Sequence, residues 1–295
     1  VIPVRSISRV LVSTLFLLSP MAAAQQVALS DYDPKITAPA FAGPGPVVAI
    51  DGAHQNFHTI EGRYAPFATL VRADGYRPRA LTEAVTASSL AGTAVLVIAN
   101  ARQRYAAPEI AVIRGWVEQG GSLLLIADHT PFGTATTPLA AAFGVEMGNG
   151  YVAVRQDGKV TSRIAFSGRL LGTHPIVTGP GPGGRVRRVE TFTGQSLSVP
   201  AGATALLTLP EDALEVAGPP QVDALRRGES APGQRVGGRA QAVALELGKG
   251  RVVIAGEAAM FTAQQMKSGA EVGLDVADDQ RFVRNVMAWL ARAMP

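Results

Sequence analysis

Short apolar runs alternate along this chain with amphipathic stretches, and that alternation sets the expected elements. Val47 to Asp51 reads VVAID, an apolar run closed by an acid, and predicts a strand. Arg63 to Asp74 follows with Tyr64, Phe67, Ala68 and Val71 on one helical face. A short strand is expected near Tyr76 to Ala80, and Ala94 to Ala99 (AVLVIA) reads as a buried one. Pro108 stands where a first helical turn tolerates proline, and Ile110, Ile113, Trp116 and Val117 share a face until Gly120 and Gly121 end the helix. Ser122 to Ala127 (SLLLIA) is again a strand. Strands apolar on both faces, separated by amphipathic helices, predict an α/β fold with a mostly parallel sheet covered on both sides.

From about Val145 to Ala240 the pattern is less regular. Short β-like runs at Arg163 to Phe166, Val186 to Phe192 and Ala203 to Leu209 predict extra strands, and a mobile loop is expected over Gly218 to Arg239. Regularity returns at Gln241 to Leu247, a turn at Gly248-Lys249-Gly250, and Arg251 to Ala255, together a hairpin. Phe282, Val286, Trp289, Leu290 and Ala293 define a last helix with Asp278 and Asp279 at its N-terminal end, where the helix dipole favours acids.

Composition changes this picture at the N-terminus. Arg5 and Arg9, an apolar run from Val10 to Leu18, and Ala22, Ala23 and Ala24 form the three parts of a secretory signal, so residues 1–24 are expected to be a cleaved leader. The run is about half of the roughly 20 residues a spanning helix needs, so no stable membrane span is expected. Residues 25–46, rich in Pro and Gly, read as an extension, with the domain over 47–295 and a periplasmic or secreted location. The chain contains no cysteine, which removes disulfides, thiolate metal sites and a cysteine nucleophile. Its formal charge of +4, lower still without the leader, is too small and dispersed for a nucleic-acid footprint. Arg185, Arg187 and Arg188 read as a solvated loop.

Chemistry gathers at the strand ends. Asp51 closes the first apolar run, Asp128-His129 follows SLLLIA, and Glu257 follows RVVIAG; in a parallel sheet these ends share one edge, where open α/β proteins bind ligands. The loop after the first strand adds His54, Asn56 and His58. One reading is a divalent metal held by Asp51, His54 and His129, with Asp128 or Glu257 as further ligand or general base. A second is a metal-free crevice in which Asp51, His54, Asn56, His58, Asp128, His129 and Glu257 bind a polar ligand between walls of Phe57 and Phe132. A third gives all of them structural hydrogen bonds. There is no Gly-x-Ser-x-Gly elbow and no phosphate-binding P-loop. Gly248-Lys249-Gly250 is better read as a turn, His174-Pro-Ile-Val-Thr-Gly179 as a fixed turn whose histidine is an outlying crevice candidate, and Glu190 to Gln195 as a strand with a threonine face.

Asp-x-x-His-x-Asn-Phe-His at Asp51 to His58, Ile-Ala-Asp-His at Ile126 to His129, His174-Pro-Ile, Gly-Lys-Gly-Arg-Val-Val at Gly248 to Val253, and the closing Asn285-x-x-x-Trp-Leu together resemble an uncharacterised bacterial family. Its fold is like that of the class I glutamine amidotransferases, and it is related to trehalose-utilisation-like and gliding-motility auxiliary domains. The resemblance covers residues 45–293. It implies a flavodoxin-like three-layer α/β/α sandwich with the site in the strand-end loops. It also implies a site without the amidotransferase nucleophile, since the cysteine is missing. Three functions are expected to compete: an exported domain binding a small polar ligand such as a carbohydrate or envelope component, a metal-dependent hydrolase, and a non-catalytic accessory domain of an envelope complex.

Overall fold

The computed structural model describes residues 26–29 and 31–294; the expected leader lies outside the described residues. Seven strands form the central sheet: β1 (Val47–Asp51), β2 (Arg77–Leu81), β3 (Thr93–Ala99), β4 (Ser122–Ile126), β5 (Thr204–Thr208), β6 (Ala240–Leu247) and β7 (Gly250–Ala255). Their order across the sheet is β5-β6-β7-β4-β3-β1-β2. The five strands β2, β1, β3, β4 and β7 are parallel, and the β6–β7 hairpin and β5 extend one side antiparallel. The mostly parallel α/β class expected from the apolar runs is therefore observed.

Four helices cover the sheet: α1 (Ala65–Ala73), α2 (Ala107–Glu118), α3 (Phe132–Ala141) and α4 (Asp279–Leu290). Successive strand residues point to opposite faces, and here both faces are dry. Val48, Ile50, Val97, Leu124 and Val253 pack with Phe67, Leu70, Phe282 and Val286 of α1 and α4. Ala49, Leu96, Ile98, Leu125 and Ile254 pack with Ile113, Val117 and Leu139 of α2 and α3. Each such leucine or isoleucine contributes about 1.5–3 kcal/mol by leaving water, so these strands cannot be solvated on either side. Helix α3 was not expected from the pattern. Its sequence FGTATTPLAA carries three threonines and an internal Pro138, poor helix formers, and Thr136 and Thr137 return their hydroxyls to the carbonyls of Phe132 and Gly133 at 3.0 and 2.9 Å.

The irregular middle segment builds smaller antiparallel sheets. Gly233–Arg235, Leu214–Val216, Tyr151–Gln156 and Lys159–Thr161 form one in that order, and Ile164–Ser167 pairs with Arg188–Thr191. The expected mobile loop over 218–239 is corrected: Pro219–Arg226 is a helix started by two prolines, with Val222 buried against the four-stranded sheet. Buried Glu215 ties that sheet to the body by accepting the Gly150 and Ser196 N–H groups at 2.8 and 3.3 Å. The N-terminal extension also joins the fold. Gln26–Ala28 pairs with Ala263–Met266, and the Tyr32 hydroxyl donates to Gln280 at 2.7 Å. No helix among the described residues is long and apolar enough to cross a membrane.

Candidate functional site

The chain leaves β1 toward β2 on one side and returns to β3 on the other, so the sheet order reverses between β1 and β3, the place where open α/β sheets bind ligands. The loops after these two strands are joined, the Arg102 and Gln103 N–H groups donating to the His54 carbonyl at 3.1 and 3.0 Å, and Asn100, the residue after β3, lies beneath that junction. It adopts a left-handed conformation (φ 47°), its N–H donates to Ile126 at 3.0 Å and its carbonyl accepts the Phe57 N–H at 2.9 Å. Its side chain grips Asp128, donating to the carboxylate at 2.8 Å and accepting the Asp128 N–H at 2.9 Å. A polar residue at the end of an apolar strand was the available signal, and attention to ionisable groups alone passed over it.

Asp51 and His54 meet as expected, but inside the protein. The Asp51 carboxylate, fully buried, accepts the Tyr105 hydroxyl and the Ala53 N–H and lies 3.0 Å from His54 Nδ1. His54 Nε2 lies 3.1 Å from Glu109, which also accepts the Val85 and Ala106 N–H groups at 3.0 Å each. Tyr105 stacks on the imidazole with ring centroids 3.8 Å apart. Burial acts to lower the His54 pKa, and the Asp51 and Glu109 carboxylates outweigh it, so the net shift is upward. Both imidazole nitrogens lie within hydrogen-bond distance of a carboxylate. His129 belongs to a different contact set, and among the described residues no three His, Cys, Asp or Glu side chains are placed to hold a metal ion. Of the expected metal ligands Asp51, His54 and His129, the structure brings the first two together in a buried network and leaves His129 outside it. Asn56 completes it, accepting the His54 N–H at 3.1 Å and donating to the Ala99 carbonyl at 3.3 Å.

Asp128 and Glu257 form a second acidic pair. Asp128 is half-buried, and the Ala258 N–H donates to it at 3.0 Å; burial of its carboxyl raises its pKa against the opposing pull of His129 and Asn100. Glu257 is 1% exposed and accepts the N–H groups of Ala259, Met260 and Phe192 at 2.8, 2.9 and 3.3 Å. Burial and the Asp128 charge push it up to about 8 despite those three donors. Phe192 N–H is one of a row: Asp279 accepts from Glu190 at 2.9 Å and Asp278 from Arg188 at 3.2 Å. Three carboxylates thus take the place of a neighbouring strand along the Arg188–Thr191 edge. Burial also pushes Asp279 well up. Glu257, expected as a catalytic group and ligand contact, lies buried beneath the strand-end loops and clamps three backbone N–H groups.

The groups that reach the surface are Phe57, Arg63, Arg102, Asp128, His129 and Tyr151. Phe57 stacks on Phe132 at 5.5 Å, and Arg63 and Arg102 lie 4.5 and 4.7 Å from the Phe57 ring centre, so the two guanidinium groups are within about 9 Å of each other. Beneath them His58 is buried, its Nδ1 has no partner, and burial with the charges of Arg63 and Arg102 lowers its pKa to about 3. His129 stacks on Tyr151 at 3.6 Å and its Nδ1 lies 2.9 Å from the Thr130 carbonyl. Gly133 at the start of α3 is required by close approach, since a Cβ there would collide with the side-chain amides of Asn149 and Gln195. Gln195 in turn donates to the carbonyls of Ala127 and Asp128 at 2.9 and 3.0 Å. Of the seven residues expected to line a crevice, Asp128 and His129 reach the surface; Asp51, His54, Asn56, His58 and Glu257 are buried beneath the strand-end loops.

The outlying motifs resolve simply. His174 accepts the Ile176 N–H at 3.2 Å and packs edge-on against Trp289, and Gly248 to Gly250 is the β6–β7 turn.

A family model described as Domain of unknown function (DUF4350) matches residues 64–271. No curated protein matches the chain in sequence. Among solved structures, the mmIFT52 N-terminal domain aligns with TM-score 0.62 and 15% identity, over 83% of this chain and 97% of that one. The cytoplasmic protein STM1381 from Salmonella typhimurium LT2 aligns with TM-score 0.51 and 14% identity, over 83% and 99%. These identities show a shared fold and no more. A putative thua-like protein from Parabacteroides merdae ATCC 43184 aligns at 0.49 with 11% identity over 84% and 90%, too loose a superposition to assign the fold to that group. Matched by the family model over more than two thirds of its length, the chain belongs to the DUF4350 family.

Proposed function

We propose that this chain is an exported binding domain that recognises a polar, acidic ligand, such as an acidic carbohydrate or a cell-envelope fragment, at the strand-end edge of a flavodoxin-like α/β/α frame. The order β2-β1-β3-β4-β7 of the parallel strands supports that frame, being the order of doubly wound folds that bind ligands at the β1/β3 crevice. The observation that carries the function is the exposed group set itself. Asp128, partly buried and held by Asn100 and Ala258, offers its remaining lone pairs to sugar hydroxyls, while Arg63 and Arg102 present guanidinium groups to an anion beside the Phe57 and Phe132 rings. Both guanidinium groups flank the Phe57 ring, so a ligand carboxylate beside it can pair with either. The hydrolase reading has less support, because His129 stands apart from Asp51 and His54, with which it was to share a metal.

A thermal-shift screen tests this with paired saccharides that differ in one carboxylate, for example oligomers of glucuronate and of glucose. The acidic member is expected to raise Tm, as a ligand binding only the native state must. Equal shifts from both members, or none from any acidic fragment, would reject the acidic preference.

A further inference from the structure

A cavity sharing no residue with the strand-end edge lies between the segment 168–173 and the strand-flanking segment 177–187. Its volume is about 730 Å³, within the roughly 300–1,000 Å³ of small-molecule sites. Leu171, Val177 and Val186 give it an apolar floor, and Arg169, Arg185 and Arg187 stand at its rim with the hydroxyls of Thr173 and Thr178. Among the described residues none of these three guanidinium groups makes a hydrogen bond or an ion pair. The carboxylate bonded to this segment, Asp278, is already engaged: it accepts the Arg187 and Arg188 backbone N–H groups at 2.8 and 3.2 Å and pairs with Arg281.

The walls are fixed by the core. Gly172 N–H donates to Leu206 of β5 at 3.0 Å, and Val186 N–H donates to Val177 at 2.9 Å. Asn285 of α4, 6% exposed, donates to the Ile176 and Gly184 carbonyls at 2.9 Å each, fixing both ends of the 177–187 segment to the core. A preformed cavity with an apolar floor and an uncompensated cationic rim is complementary to an ion of matching build. We infer that this cavity is a binding site for a small organic oxyanion, a carboxylate or phosphate ester carried on a compact apolar body. Arginine forks bind either group in paired hydrogen bonds, and the floor supplies contact for the body.

The test is calorimetric titration of the full chain with 1-naphthyl phosphate and 1-naphthoate, beside 1-naphthol and inorganic phosphate, which each lack one half of the chemistry. At least one aryl anion is expected to bind saturably, at least about tenfold tighter than either fragment. Arg169→Ala/Arg185→Ala/Arg187→Ala, all exposed side chains, is expected to keep the parent's Tm and lose at least about tenfold in affinity, since each charged hydrogen bond is worth a factor of this size. Asp128→Asn is expected to bind as the parent does. Unchanged affinity in the triple variant, loss of binding in Asp128→Asn, or no saturable binding overturns the site. Retention on phosphatidylglycerol vesicles without soluble binding also overturns it, in favour of a membrane-facing patch.

Discussion

Glu257 and His58 sit under the same loop cluster and respond to pH in opposite senses. Glu257 holds its proton to about 8 in the folded chain, against an ordinary value near 4.5. The folded state therefore binds more protons than the unfolded state between these values, and stability falls as pH rises across that window, by about 1.4 kcal/mol per pH unit for one proton. Urea unfolding at pH 5, 6.5 and 8 checks this: Glu257→Gln is expected to flatten the decline relative to the parent, and parallel slopes would refute it. His58, lowered to about 3 from 6.5, works the other way. Its unfolded form takes up a proton below 6.5 while the folded form refuses it, so stability is lost as pH falls through that range. Because its Nδ1 has no partner, His58→Leu is expected to cost within about 1 kcal/mol at pH 7. The variant is then expected to gain on the parent between pH 6.5 and 4, as read from the same unfolding curves.

At the scale of elements, Asn100 holds the ends of β1, β3 and β4 in register with one another. Asn100→Asp is expected to destabilise by about 2–4 kcal/mol, because it replaces a donor to Asp128 with a second buried charge and leaves that carboxylate without its partner. It is also expected to weaken ligand capture at Asp128, which a Tm shift with the acidic saccharide reads directly. The strands themselves were legible because apolar runs such as AVLVIA and SLLLIA leave one physical option, burial on both faces. Helix α3 was not, because Thr136, Thr137 and Pro138 oppose helix locally and tertiary packing of Leu139 and Ala140 overrides them. Pro219–Arg226 was hidden in the same way by Gly and Pro that begin the helix rather than prevent it. For the candidate site, the pattern placed these ionisable groups at one sheet edge. It did not separate Asp51 and His54, which face inward to Tyr105 and Glu109, from Asp128 and His129, which face out. Those inward partners come from α2 and the loop before it, tens of residues away, and no spacing rule connects them.

For the molecule as a whole, the parallel core and the irregular middle segment divide the work. The core brings four strand ends to one edge; the middle segment, tied on through Glu215 and Asn285, supplies the lips of a separate cationic cavity. The two surfaces carry positive charge at different places on a chain whose formal charge is only +4, so attraction for acidic ligands is local rather than global. The measurement that tests the strand-end site most directly is calorimetric titration of the parent, Arg102→Ala and Asp128→Ala with the acidic saccharide. Both variants are expected to lose at least about tenfold in affinity while keeping cooperative unfolding, since each removes a charged hydrogen-bonding partner of the ligand. Undiminished binding in both would contradict the assignment of this edge as the ligand site.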